Sequence, residues 1–94
     1  SPVMRKEKEV EKVKFVPAEK IDSIRNFLNN SMGPMGSFLV DDVMEEMGLT
    51  RGLPVNMIDT FITTLANRIP DDCYYEGEKC KDRLKRIAKE ILTL

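Results

Sequence analysis

Histidine and tryptophan are missing from this 94-residue chain, and cysteine occurs only at Cys73 and Cys80. Without histidine the commonest general base is gone, so neither acid-base nor triad chemistry has its usual carrier. Two cysteines and no histidine supply too few soft ligands for a complete tetrahedral zinc site within one chain. Neither a nucleophile-base pair nor a phosphate-binding loop stands out, so no catalytic residue, metal or cofactor is expected and enzymatic activity ranks last. Long apolar runs are also lacking, and no charged-then-apolar leader opens the chain, which sets the expectation of a cytoplasmic protein with no membrane partner. Net charge is nearly absent too: 15 basic against 16 acidic side chains leave −1, giving no global attraction to polyanions.

What is present is an ordinary mixture for one small domain, 41% hydrophobic and 33% charged. Residues 3 to 14 alternate in sign, broken by Val10 and Val13, and read as a charged N-terminal arm spanning 1–16 ahead of a single domain over 17–94. An opening on Ser1 and Pro2 rather than Met leaves two expectations open, a remnant of cloning or the mark of an excised fragment. Charge is unevenly spread. Residues 21–50 hold only Arg25 against Asp22, Asp41, Asp42, Glu45 and Glu46, whereas the stretch after Cys73 gathers Lys79, Lys81, Arg83, Lys85, Arg86 and Lys89.

The periodicity is helical. Pro17 suits a first helical turn, and Ile21, Ile24, Phe27, Leu28 and Met32 form one stripe, predicting a helix over about 17–32. The segment Gly33-Pro34-Met35-Gly36 interrupts it, Ser37 is the expected N-cap of a second helix, and Gly48 its left-handed terminator. That helix carries Leu39, Val40, Val43 and Met47 inward and its carboxylates outward as a solvated face. Met35 and Met57 are expected to face outward, where Met suits an adaptable protein-binding surface. A fourth helix runs from about Lys81 with Leu84, Ile87, Ala88, Ile91 and Leu92 inward.

Between Pro54 and Pro70 the apolar residues Val55, Ile58, Phe61, Ile62, Leu65, Ala66 and Ile69 share one face, predicting a helix over 55–69. Its opposite face is unusual, since Asn56, Thr60, Thr63, Thr64 and Asn67 stand where Lys and Glu are the better helix formers. Such a face reads as a contact surface, or as threonines bonded back to helix carbonyls.

After Pro70, Tyr74 and Tyr75 precede a Glu76-Gly77 turn, predicting a short hairpin with Cys73 opposite Cys80. Three states stand open for the pair: a cross-strand disulfide, two buried thiols, or half of an intermolecular site. A reducing cytosol favours the thiols, and a hyperthermophilic source, hinted at by abundant Lys and Glu, favours the bridge. The fold class that emerges is mostly α, a small four-helix domain with a short β-hairpin.

Helix, glycine turn, helix, hairpin, helix resembles the order of parts in winged helix-turn-helix domains, and Val43, Met47, Gly48 and Leu49 fit the spacing around the turn of that motif. Met44 and the long Thr50 to Pro54 connection depart from it. The resemblance covers about half the chain and implies an accessory or regulatory protein of transcription that binds double-stranded DNA. Helix 55–69 would enter the major groove through Asn56, Thr60, Thr63 and Asn67, with Arg51, Lys79, Lys81 and Lys85 on the backbone. Asp59 and the absence of Lys in that helix weaken a monomer, so a homodimer is implied. The rival reading is a protein-interaction module, a subunit or terminal domain of a larger assembly.

Overall fold

A computed structural model describes residues 13–94. Residues 1–12 of the expected arm lie outside that range. Among the described residues four α-helices, α1 (Ala18–Met32), α2 (Met35–Glu46), α3 (Ile58–Arg68) and α4 (Cys80–Thr93), pack with a two-stranded hairpin, β1 (Tyr74–Tyr75) and β2 (Glu78–Lys79). The chain is therefore mostly helical with a small antiparallel hairpin. Each helix packs on two others: α1 on α2 and α4, and α3 on α4 and α2. Ile24, Leu28, Val40, Val43, Leu53, Phe61, Leu65 and Leu84 fill the space between them, fully or almost fully removed from water.

Helix α2 begins two residues before the expected cap. Ser37 lies inside it, and the acceptor for its backbone N–H comes from α1. The Asn29 carboxamide oxygen accepts from the Ser37 N–H at 2.9 Å, and its Nδ2 donates to Ser37 Oγ at 2.6 Å. Asn29 thus performs, from the preceding helix, the task a local cap performs elsewhere. The arrangement depends on Gly36, because a Cβ there would stand 2.5 Å from the Leu28 carbonyl carbon and 2.7 Å from the Asn29 nitrogen. At the other end of α2 the structure follows the sequence. Gly48 has φ +70°, its N–H reaches Glu45 O at 3.0 Å, and the Leu49 N–H reaches Met44 O at 2.9 Å, satisfying the last carbonyls of the helix.

The continuous helix expected over 55–69 is shorter and has a different start. Val55–Met57 form a 3-10 turn, and the α-helix begins at Ile58. The cause lies at the N-terminal side of the domain, where the Val55 N–H donates to Lys14 O at 2.9 Å and the Val16 N–H to Leu53 O at 2.8 Å. This pairing holds Pro54 extended and ties Val55, the first residue of the 3-10 turn, to Lys14, so Val55 leaves the apolar stripe and stands 48% exposed. Val16, placed in the arm by its sequence context, is buried in the core. Met57, expected outside, is half-buried against the core.

The hairpin has the predicted register, Tyr74 opposite Lys79 and Tyr75 opposite Glu78. Glu76 (φ +51°) and Gly77 (φ +82°) both take left-handed backbone, the requirement of a type I′ turn. One position beyond the paired residues, Cys73 and Cys80 stand 5.4 Å apart at Cα and are disulfide-bonded, which replaces the free thiols that a reducing compartment would favour. The hairpin register, continued one position outward, sets Cys73 opposite Cys80, so proximity comes with the turn. Helix α4 starts at Cys80, and Arg83, counted in sequence with an outward basic edge, turns inward. Its guanidinium lies between the rings of Phe27 (4.0 Å) and Tyr75 (4.6 Å), with Nη1 buried and lacking a hydrogen-bond partner among the described residues. This stack fastens the hairpin to α1.

Candidate functional site

Two surfaces present chemistry to solvent. The first is the outer side of α3. Thr60, Thr63 and Asn67 are exposed along it, and Asn56 is exposed on the 3-10 turn that precedes it. Because that turn winds more tightly than an α-helix, Asn56 does not continue the helical stripe of the other three. Thr64 is half-buried and its hydroxyl donates to Thr60 O at 2.8 Å, the back-bonded state open to a helical threonine.

Of the four cations expected on the DNA backbone only Lys81 is engaged, and two further cations, Arg68 and Lys89, are also paired. Arg68 pairs with Glu46 across to α2, Lys81 with Asp71 at 2.6 Å, and Lys89 with Asp59 at 3.3 Å. Arg86 holds Glu78 through two bonds of 3.1 and 2.8 Å. The hydrogen bond from Arg86 keeps the Glu78 carboxyl below its ordinary range, and that from Lys81 does the same for Asp71. Arg51, Lys79 and Lys85 have no ion-pair partner among the described residues. They sit on three different elements: Arg51 in the turn after α2, Lys79 half-buried on β2, and Lys85 exposed on α4. Arg51 lines a shallow recess with Phe15, Leu49 and Pro54 rather than joining a helix face.

The second surface lies at the N-terminal end of α2. Met35 (60% exposed) and Phe38 (63%) are one helical turn apart and form an apolar ridge. On one side of the ridge is a groove of about 490 Å³, lined by Met32, Leu39, Pro70, Cys73 and Tyr74 together with Arg68 and Asp72. On the other is a more open depression between Asn29, Gly33, Pro34, Ser37 and Phe38. Tyr74 (55% exposed) is carried by β1, so the disulfide and the Arg83 stack position one wall of the groove.

Sequence reasoning identified Met35 as outward-facing but missed Phe38. The signal was available: Phe38 follows Met35 by three positions and lies off the stripe formed by Val40 and Val43. Further along α2 the exposed carboxylates Asp41, Asp42, Glu45 and Glu46 project to solvent, with Asp41 bound to Arg25 at 2.8 Å. That bond pushes the Arg25 pKa further up from its ordinary value, against a smaller opposing effect of burial. Among the described residues no three Cys, Asp or Glu side chains converge as a metal-binding group, and no helix is long and apolar enough to cross a membrane.

No curated protein and no solved structure matches the chain. Residues 19–89, from the first turn of α1 through most of α4 and including both surfaces, match a family described as a domain of unknown function, DUF8082, and the chain belongs to that family.

Proposed function

We propose that this domain is a protein-interaction module, docking a partner on the Met35–Phe38 ridge and the groove between α2 and the hairpin. The observation that carries this reading is the exposure of two large apolar side chains, one turn apart, beside a groove floored by Met32 and Leu39 and walled by Tyr74. Burying such residues in water-excluded contact is the main source of affinity in protein interfaces, and methionine and aromatic residues are enriched at their centres. The cytoplasm remains the proposed compartment, in a cell whose cytosol tolerates structural disulfides.

A second reading keeps double-stranded DNA as the partner, with α3 as reading helix and the hairpin as wing. The hairpin that follows α3, with Lys79 paired across from the exposed Tyr74, favours it. The engagement of Lys81 by Asp71, and a reading helix that carries Asp59 and no Lys, weigh against it, because phosphate contacts supply most of the affinity for DNA.

One experiment separates the two. A photo-crosslinking side chain is placed at position 38 or at position 63 of the full chain expressed in its native cell, and the adducts are identified. The interaction reading expects a discrete protein adduct from position 38 and none from position 63. DNA adducts from position 63, with duplex retardation at low salt that is lost on Asn56→Ala with Lys79→Ala, would overturn it in favour of DNA.

A further inference from the structure

The outer stripe of α2 has two chemically distinct halves. Met35, Phe38, Asp42 and Glu45 follow one another at intervals of three, four and three residues, which aligns them along one side of the helix. All four are exposed. The first two are apolar and the last two carry carboxylates. On either side, Asp41 and Glu46 are already bound by Arg25 and Arg68, so the cations of this region are used there. Asp42 and Glu45 have no ion-pair partner among the described residues. Asp72 adds a further carboxylate at the groove's margin.

Building on the docking reading above, we infer that the occupant of this surface is an amphipathic helical segment of another protein, apolar over one end and basic over the other. Apolar side chains of the partner cover Met35 and Phe38 and enter the groove. Its Lys or Arg residues lie along Asp42 and Glu45. From Met35 to Glu45 is ten residues at 1.5 Å rise, so the partner contact spans about 15 Å, or roughly three helical turns. A helix suits the surface better than a strand. Among the described residues the one strand bordering the groove, β1, is Tyr74–Tyr75, two residues long, which offers an added strand almost no ladder. Methionine at positions 32 and 35 lets the floor adapt to differently shaped side chains.

A second copy of this chain is a poor occupant. Two α2 helices aligned antiparallel set Asp42 and Glu45 of each against Met35 and Phe38 of the other, and aligned parallel they set carboxylates together. Either arrangement desolvates charge without a partner.

The test is selection of phage-displayed, helix-forming 14-residue peptides on the full chain, followed by fluorescence anisotropy of the enriched peptides and sizing of the protein alone. Enriched peptides should carry Leu, Ile or Phe at helical spacing in one half and Lys or Arg in the other. Their binding should weaken at least tenfold with Phe38→Ala and at least tenfold with Asp42→Lys plus Glu45→Lys. The doubly substituted chain should instead prefer peptides in which Glu replaces the basic residues. Since all three positions are exposed, circular dichroism should report unchanged folding. Peptides that depend on Phe38 but show no basic bias, or that ignore the charge reversal, overturn this inference and leave the docking reading standing. If no enriched peptide depends on Phe38, both fall. A concentration-dependent dimer abolished by Phe38→Ala would make a second copy the occupant and overturn the inference.

Discussion

Replacing Gly36 by Ala tests the structural basis of the α1-α2 pair, because two effects of opposite sign compete at that residue. Inside a helix, Ala is favoured over Gly by about 1 kcal/mol, so propensity alone expects a more stable protein. The added Cβ, however, would lie 2.5 Å from the Leu28 carbonyl carbon, 2.7 Å from the Asn29 nitrogen and 2.7 Å from Leu28 Cβ. Carbon atoms pack at about 3.5 to 4.0 Å, so the helices must separate by roughly 1 Å, and two of the three obstructing atoms are backbone that cannot rotate away. Overpacking of this kind costs about 1 to 3 kcal/mol.

Separation also pulls the Asn29 carboxamide from Ser37, and losing a cap of this type costs about 1 kcal/mol more. The balance is a destabilisation of about 1 to 3 kcal/mol. In a domain of this size that lowers the melting temperature by about 4 to 8 °C for each kcal/mol. Urea titrations followed by circular dichroism, with Asn29→Ala alongside to isolate the cap, would measure it. A Gly36→Ala protein as stable as the original or more so would refute the close approach of α1 to α2.

Other perturbations have equally definite outcomes. Glu76→Asn should stabilise the chain by a few tenths to about 1 kcal/mol, since Asn accepts the left-handed backbone of the first turn position better than Glu does; an unchanged melting temperature would count against the type I′ geometry. Arg83→Ala should cost about 1 to 3 kcal/mol and weaken the near-ultraviolet tyrosine signal by releasing Tyr75, and a purely electrostatic role would instead be rescued by Lys. Reducing the bridge between Cys73 and Cys80, seven positions apart, should cost about 2 to 3 kcal/mol by lengthening the conformational reach of the unfolded chain, read as a drop in denaturation midpoint with dithiothreitol that Cys73→Ser with Cys80→Ser reproduces. Glu78 and Asp71 are more acidic in the folded chain than unfolded, so their contribution is whole above the ordinary carboxylate range near pH 4 and is lost as pH falls through the lower folded values. A Glu78→Gln chain should show a shallower fall in melting temperature below about pH 4, and an identical acid limb would refute the Arg86 pairing.

The helices, the Gly48 terminator and the hairpin register were legible because each is dictated by residues adjacent in sequence. Gly48 follows an apolar-periodic run, and Glu76-Gly77 follows directly on the β-forming pair Tyr74-Tyr75. What escaped the sequence was set by distant partners. The cap of α2 belongs to Asn29, eight residues before Ser37, and no local rule assigns a cap to a preceding helix. Val55 leaves its stripe because Lys14 takes its N–H, a contact forty-one positions away. The inward turn of Arg83 depends on Phe27 and Tyr75, which the sequence separates widely. On the candidate surfaces, the identities of the α3 residues and their exposure were readable, but the carboxylates that occupy Arg68, Lys81 and Lys89 come from other elements and were not.

The pairing of residues 14–16 with Leu53 to Val55 fixes where the backbone joins the domain: beside the linker that follows α2, with the Phe15 ring near Gly52. Met35 and Phe38 sit toward the opposite end of α2, about 16 and 12 Å from Glu46 along the helix. Lys14 to Val16 therefore meet the domain at one end of α2 while the ridge occupies the other. A substitution at Phe15 and one at Phe38 thus act on separate surfaces, the first on the strand-like pairing and the second on the ridge.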